Sequence, residues 1–474
     1  MKFDDLREFI ACMRQRGEIL DIEEADWNLE IGAITYVSSL TSAKPPALLF
    51  SRIKDYPPGF RVLTTVRYNR TAGRLIYGID EDLDDDAAVL SWREKMKRYE
   101  PVPPVEVASG PVKENVISGD EVDLLKMPWV RWHEHDGGRY ICGTSVIMRD
   151  PESGYINVGS YRFKLIDRNR IVVHIGSGHN GDVIRKRYWA KGQSCPVAIS
   201  LGQDPAIFIV AGSSVPWGTP EYDYVGWLRG APVEVTKGLY TDLPVPATGE
   251  IILEGEMLPP EAGTEVEGPF GEASGYYGGG ARPSAVTKIH AILHRNDPIV
   301  IGDPPLIVEG SGQNVLYSRS IDVREELEGL GVPGIKGVNH KYSRSFISLE
   351  QSYPGHAMRA GLGSLGGGSG AYHVKLVVVV DEDVNPHNMK EILWAMATRC
   401  DPEKAISICK GTWSYAIDPG LPPEKRAAGD YTTSVAVFNA CKPFHRKDSV
   451  PSALKIGDES RKIYEAKWGK ILNS

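Results

Sequence analysis

Apolar and polar positions along this chain follow several different periods, and each predicts a different element. Near the start, Leu6, Phe9, Ile10 and Met13 recur at i, i+3, i+4 and i+7, the spacing of an amphipathic helix that Gly17 closes. An apolar stretch follows at Pro46–Phe50, then an acidic run at Asp80–Asp86 that reads as a solvated helix start. Pro101–Pro104 (PVPP) reads as a linker and places a boundary near residue 110. From about 110 to 300 the pattern shortens. Thr144–Met148, Ile171–Ile175, Val197–Leu201 and Ala206–Val210 are short, rich in β-branched residues and bounded by Gly, Pro and Asp, so each is expected as a strand. One helix is expected over Asp182–Lys191, and strands with few helices predict a barrel or sandwich. Beyond residue 310, Val374–Val380 reads as a buried strand. Asn385–Pro386 then opens a helix with Met389, Ile392, Leu393 and Met396 on one face, an α/β pattern. A last amphipathic helix over 458–472 carries Ile463, Tyr464, Trp468, Ile471 and Leu472, to cover its own domain or dock on a partner subunit. No repeat of fixed period is evident.

At 474 residues the chain has room for about three domains. Hydrophobic residues at 42% and charged residues at 24% suffice for more than one core, while no apolar run is long enough to span a membrane. The formal charge of −8 argues against a nucleic acid or an anionic membrane as the main partner. Cys12, Cys142, Cys195, Cys400, Cys409 and Cys441 are scattered and form no Cys-x-x-Cys, which disfavours a zinc ribbon or a disulfide framework. The opening MKFDDLREFIACMRQRG has acids where a signal peptide needs bases, and it lacks an apolar core. A reduced, cytoplasmic, multidomain protein is expected.

Some motifs carry little. Gly361–Gly366 (GLGSLG) has the form G-x-G-x-x-G, but the apolar strand follows it instead of preceding it, so a flexible loop is expected. Neither a Walker A pattern nor a G-x-S-x-G elbow occurs. His133-Glu134-His135-Asp136 looks metal-like. On a strand, however, neighbours point to opposite faces, so a surface or structural role is expected.

The most informative segment is Glu267-Gly-Pro-Phe-Gly-Glu272. Its glycines allow a turn that brings two carboxylates toward one cavity, where mutual repulsion would raise one pKa and prepare an acid; a plain surface turn would have the same spacing. Upstream lie Asn157-Val-Gly-Ser-Tyr-Arg162, Ser177-Gly-His179-Asn180, Gly212-Ser-Ser-Val-Pro216 and Glu221. Asn, His and Glu make an oxygen and nitrogen set suited to Mn²⁺ or Mg²⁺, although each alone is as readily an ordinary hydrogen-bonded residue.

Taken together, the order Asn157…Arg162, His179, Glu221, Glu267-GPFG-Glu272 resembles the UbiD-like reversible decarboxylases that use prenylated flavin mononucleotide. DGGRYI (136–141), PVAISLGQDPA (196–206), YVGWLRGAPVEV (224–235), EIILEGEM (250–257) and VDEDVNP…LWAMATRCDP (380–402) extend the resemblance over nearly the whole chain. It implies an α+β multidomain fold. An α/β portion over 1–110 and an α/β domain over 306–455 would flank a central split-β-barrel-like flavin domain over 111–305. A helix over 456–474 would dock on a partner.

By that resemblance, Arg162, Glu267 and Glu272 form a catalytic network, with Glu272 the acid and Arg162 anchoring the substrate carboxylate and keeping Glu267 ionised. Asn157, His179 and Glu221 would hold Mn²⁺ or Mg²⁺. Val158, Gly212, Ser213, Val215 and Glu221 would surround K⁺ or Na⁺. Asn157, Val158, Tyr161, Arg162, Gly178, His179, Ser213, Ser214, Val215, Glu221 and Lys375 would contact prenylated FMN, Lys375 at its phosphate. The implied activity is reversible, non-oxidative decarboxylation of an aromatic or heteroaromatic acid by covalent flavin catalysis. A flavin prenyltransferase would supply the cofactor, and the assembly would be a homodimer or homohexamer. The alternatives are an FMN oxidoreductase on a split barrel and an inactive family member serving as a binding subunit. Many hydroxyaryl members carry a Ser-Lys-Met…Asp-Ala-Thr pattern where this chain reads Thr433–Cys441 (TSVAVFNAC), which points away from a simple phenolic acid and toward other aromatic or heteroaromatic acids, bicyclic and tricyclic ones included. Residues 307–320 and 411–418 are expected on the substrate side.

Overall fold

The computed structural model describes the chain except for residues 1–2, 43, 214, 216, 273, 307–315, 342, 369–373, 452, 455–459, 461–462, 465 and 470–474, and the side chains of 316–318. Among the described residues the strands form four sheets, a mixed α+β architecture.

The helix Leu6–Gln15 forms where its period predicts. Asp5 caps it, accepting from the Glu8 amide, and Leu6, Phe9, Ile10 and Met13 are buried. Beside it lies a four-stranded sheet in the order Ile19–Glu23, Ala47–Ser51, Arg61–Thr64, Ile299–Ile301. The last of these strands comes from the end of the central segment, so the first two segments share a sheet. The acidic run does lead into a helix, Asp85–Met96, which Asp84 caps. Asp85 is not merely solvated, because it pairs with Arg74 at 3.0 Å and Arg70 at 3.2 Å.

The central sheet runs in the order Tyr140–Ile141, Phe163–Leu165, Arg170–Val173, Arg282–His294, Ile251–Met257, Cys195–Leu201, Thr144–Arg149, Ile156–Gly159. Thr264–Glu267 and Asn115–Ser118 also pair with Arg282–His294, a 13-residue strand long enough to serve both halves of the sheet. Among the described residues no pairing joins the two ends of this sheet, so it is not a closed barrel. The C-terminal sheet is mixed, in the order Ile335–Lys341, Arg344–Leu349, Leu376–Asp381, Thr432–Asn439, Ile406–Trp413.

Several local expectations are corrected. Ala206–Val210 is not a strand but the body of the helix Pro205–Ala211. Asp204 accepts from the Ala206 amide and Pro205 occupies the first turn, and these end signals outweigh β-branching. Gly361–Gly363 is no flexible loop; it closes the helix His356–Gly363. A Cβ on Gly361 would sit 2.5 Å from Val437 Cγ1, so this glycine is there for helix–sheet packing. In the helix Met389–Arg399 the covered side is Ile392 and Ala395, whereas Leu393 is 58% exposed. His133–Asp136 is a turn, not a strand: the His133 amide donates to Asp136 Oδ2 at 2.9 Å. The expected last helix lies mostly outside the described residues.

Candidate active site

Strand register builds the centre of the site. Thr264–Glu267 pairs antiparallel with the start of Arg282–His294, which sets Glu267 directly opposite Arg282. Phe163–Leu165 pairs with Arg170–Val173, and just beyond that ladder the His174 amide donates to the Arg162 carbonyl at 2.9 Å. Arg162 then bridges the two acids. Its Nε donates to Glu267 Oε1 at 3.0 Å, and its Nη1 donates to Glu272 Oε1 at 2.8 Å and Oε2 at 3.0 Å. Its guanidinium carbon lies 4.7 Å from the centre of the Phe270 ring, which packs the fork from one side.

The Gly-Pro-Phe-Gly segment works as the spacing suggests. Gly268 has φ +83°, and its amide donates to Tyr140 Oη at 3.1 Å. Asp136 accepts from the Gly271 amide at 3.1 Å, so the metal-like turn anchors the loop that carries Glu272. Glu272 closes its own turn, donating from its amide to the Tyr276 carbonyl at 2.9 Å and accepting from Gly275 at 2.8 Å. Burial pushes the Glu272 carboxyl up from its ordinary value; the guanidinium of Arg162 opposes this, and the charge of Glu267 is a smaller cause in the same direction as burial. Repulsion between the acids, the reason offered by the spacing, is therefore secondary to desolvation.

Asn157, Tyr161, His179 and Glu221 lie on neighbouring elements, with the Tyr161 and His179 rings 6.1 Å apart. Val158 donates from its amide to Glu221 Oε2 at 2.8 Å, which ties the strand Ile156–Gly159 to the start of the helix Glu221–Arg229. His179 stands at the N-cap of the helix Asn180–Trp189, preceded by Gly178 at φ +85°. The Gly181 amide of that helix donates to Tyr161 Oη at 3.3 Å. Asn157 is buried, and among the described residues no hydrogen bond is made by its Nδ2. Glu221 is buried with no basic side chain paired to it among the described residues, and burial pushes its carboxyl up to about 7. A buried carboxylate without a cation, near a buried amide and with an exposed imidazole on the neighbouring helix cap, is a donor set of a kind that fits a divalent ion. Among the described residues no three side chains drawn from His, Cys, Asp and Glu alone could hold a metal, so a site here would need a donor of another kind, such as the Asn157 amide.

Ser160 donates from its amide to the Ala211 carbonyl at 2.9 Å, and Ser213 Oγ donates to the Ile209 carbonyl at 2.9 Å, so Ala211 and Gly212, at the end of their helix, abut the residue that follows the strand bearing Asn157 and Val158. Ser214 and most of 307–320 lie outside the described residues. Lys375 is engaged within the C-terminal lobe, 2.6 Å from Asp418 Oδ2 and 2.9 Å from Thr433 Oγ1. The 411–418 segment does reach the site. A Cβ on Gly278 would lie 2.5 Å from the Ile417 carbonyl, and Arg426 donates to the Gly278 carbonyl at 3.1 Å, so this segment covers the Glu272 loop. Two neighbours of Glu267 were not anticipated, His174 and Arg282. Only strand pairing reveals them, because neither belongs to a motif.

Comparison with known proteins identifies the family. Residues 104–305 match the family model described as the UbiD 3-octaprenyl-4-hydroxybenzoate carboxy-lyase Rift-related domain, residues 317–440 match the C-terminal domain of that carboxy-lyase, and residues 10–87 match its N-terminal domain. A phenolic acid decarboxylase of Sedimentibacter hydroxybenzoicus is 32% identical, with 89% of each chain covered. A pyrrole-2-carboxylic acid decarboxylase of Pseudomonas aeruginosa is 33% identical, covering 90% of this chain and 89% of its own. The solved structure of the UbiD-class enzyme HmfF from Pelotomaculum thermopropionicum in complex with FMN superposes with a TM-score of 0.84 at 27% identity, covering 98% of this chain and 100% of that one. All three parts of the chain match in order and the relatives align nearly end to end, so the chain belongs to the UbiD family of carboxy-lyases.

Proposed function

We propose that this chain catalyses the reversible, non-oxidative decarboxylation of an aromatic or heteroaromatic carboxylic acid, with prenylated FMN as its resident cofactor. The observation that carries the reading is one guanidinium shared by two carboxyl groups, of which burial raises Glu272. Breaking the bond between CO₂ and an sp² carbon leaves an electron pair in the ring plane, which no side chain stabilises. When bound, prenylated FMN supplies the electron sink for that pair. The chain supplies position and protons. Arg162 holds the substrate carboxylate, since its planar fork matches two oxygens. Glu267 accepts from Arg162 Nε and keeps the fork aimed. Glu272 keeps its proton on a carboxyl oxygen until CO₂ departs, then gives it to the vacated carbon, so that one C–C bond breaks and one C–H bond forms. In the reverse direction the same carboxylate removes that proton.

Asn157, His179 and Glu221 would hold Mn²⁺ or Mg²⁺ against the flavin phosphate, a role supported by the burial of Asn157 and Glu221 and by the exposed His179 imidazole. Main-chain oxygens of Val158, Gly212 and Val215, with Ser213 and Glu221, would hold K⁺ or Na⁺. Tyr161, Gly178 and Ser214 would line the flavin, and Lys375 would leave Asp418 to reach the phosphate. In this reading the ten-stranded sheet is the split-barrel-like flavin domain of a three-domain chain divided near 110 and 305. The protein works in the cytoplasm as a homodimer or homohexamer, with a flavin prenyltransferase supplying the cofactor. Among the described residues no helix is long and apolar enough to cross a membrane.

The test is to incubate purified enzyme with a panel of phenolic, pyrrole, furan and fused-ring carboxylic acids in D₂O. Release of CO₂ with one deuterium placed at the vacated carbon is expected, together with a released flavin heavier than FMN by the prenyl group. Unmodified FMN and no turnover of any acid would overturn the reading.

A further inference from the structure

Glu267 is completely buried, and its two oxygens are held differently. Oε1 takes the 3.0 Å hydrogen bond from Arg162 Nε. Oε2 faces three looser neighbours: Arg162 Nη2 at 3.5 Å, His174 Nδ1 at 3.7 Å and Arg282 Nε at 3.8 Å. The register explains the set, since Arg282 lies opposite Glu267 across one ladder and His174 lies opposite Arg162 across another. Arg282 Nη2 is also 2.8 Å from both ring nitrogens of His174.

A guanidinium only donates, so one ring nitrogen must accept from Arg282 and therefore carry no proton. The other nitrogen of a neutral imidazole carries the proton, and Nδ1 is the one that faces an acceptor, Glu267 Oε2. We propose that His174 is a positioning residue for Glu267: Arg282, equidistant from both ring nitrogens, requires one of them to be bare, and Glu267 Oε2, which faces Nδ1, makes Nδ1 the nitrogen that carries the proton and donates to it. At 3.7 Å that bond is open; it needs to close to about 3 Å, as catalytic contacts do when substrate arrives. The surroundings keep the ring neutral. Arg162, Arg282 and, on one helix, Arg185 with His179 at its cap face it from three elements, Glu267 stands on a fourth, and burial together with the arginine charges holds the imidazole down at about 2. A protonated ring would have no acceptor for Arg282, whereas the neutral ring links Arg282 to Glu267. The function assigned to His174 rests on the decarboxylase reading above, but its tautomer does not.

Two measurements separate these. On protein without cofactor, nitrogen-15 imidazole spectra, with the His174 signal identified by its loss in His174→Gln, should give one protonated Nδ1 and one bare Nε2, unchanged from about pH 5 to 8. In Arg282→Gln the ring should gain a proton at higher pH than in the wild type. A ring that titrates in this range in the wild type, or an Nε2–H tautomer, would overturn the proposal. On the loaded enzyme, His174→Asn keeps an N–H near the Nδ1 position and His174→Leu does not. Leu should lower kcat about 10²-fold, the scale of a misplaced catalytic group, with KM little changed, and Asn should restore most of the loss. Equal losses in the two variants, or none, would overturn the positioning role. If the wild type turned over no acid, the decarboxylase reading would fall and the spectra would still decide the tautomer.

Discussion

At Arg162 one side chain serves two acids, and the consequences fall on them unequally. Glu272 has both oxygens within 3.0 Å of Nη1 and yet is raised by burial, so it holds a proton to higher pH than an ordinary glutamate. In the proposed mechanism the rate depends on that proton. It should be full at low pH and fall as pH rises through the raised value, and a pH–rate profile in which the alkaline limb disappears in Glu272→Gln would check this. The same variant keeps the shape but has no acidic proton, and turnover should drop about 10²–10⁴-fold with flavin and metal still bound. Deuterium incorporation from D₂O measures the step directly, and near-normal labelling would assign the proton to another group. On the other side of the site, His179→Ala and Glu221→Ala should each lower both metal and flavin content in elemental and absorbance analysis. Unchanged content in both would remove them from the metal site. Arg162, Glu267 and Glu272 are readable in the sequence because two of them bracket one short turn. His174 and Arg282 are not: they stand alone in the chain, and only ladder register brings them to Glu267.

At the scale of elements, period and end signals compete, and the outcome follows physical rank. Leu6, Phe9, Ile10 and Met13 have a helical period and a capping Asp5 that agree, and the helix forms as expected. In Ala206–Val210 the residues favour a strand but Asp204–Pro205 opens a helix, and the cap prevails in a segment too short to show a period. The structural role expected of His133–Asp136 is met on a turn instead of a strand, and its partner, the Gly271 amide 135 residues away, is not legible in the local pattern. The loop that carries Glu272 makes a testable element. Gly278→Ala should drive a Cβ to within 2.5 Å of the Ile417 carbonyl and push the covering segment away. Overpacking of this kind costs about 1–3 kcal/mol. A loss of turnover larger than the loss in melting temperature would locate the damage at the loop, and wild-type kinetics would show that the cover is slack.

Across the whole molecule, polar links join the segments as much as shared sheets do. Arg7, on the first helix, gives two 2.8 Å hydrogen bonds to the fully buried Glu250 of the central segment, and Arg295 lies 3.4 Å from the same carboxylate. Removing one partner of a buried pair is costly, but Arg7 is a third exposed and Arg295 remains, so Arg7→Met should cost about 1–3 kcal/mol in denaturant unfolding. An unchanged midpoint would show that Arg295 alone satisfies Glu250. The C-terminal lobe is tied to the acid loop by less. Arg426 bonds to the Gly278 and Asp418 carbonyls, and Ile417 packs against the glycines. Heat should therefore silence the enzyme before it melts it, since a cover tied to the acid loop by one half-buried hydrogen bond and one packed side chain can lift at a temperature the sheets survive. Cooling from that interval should restore turnover without refolding, so the temperature at which activity halves and the temperature at which the fold is lost are two separate properties of this protein.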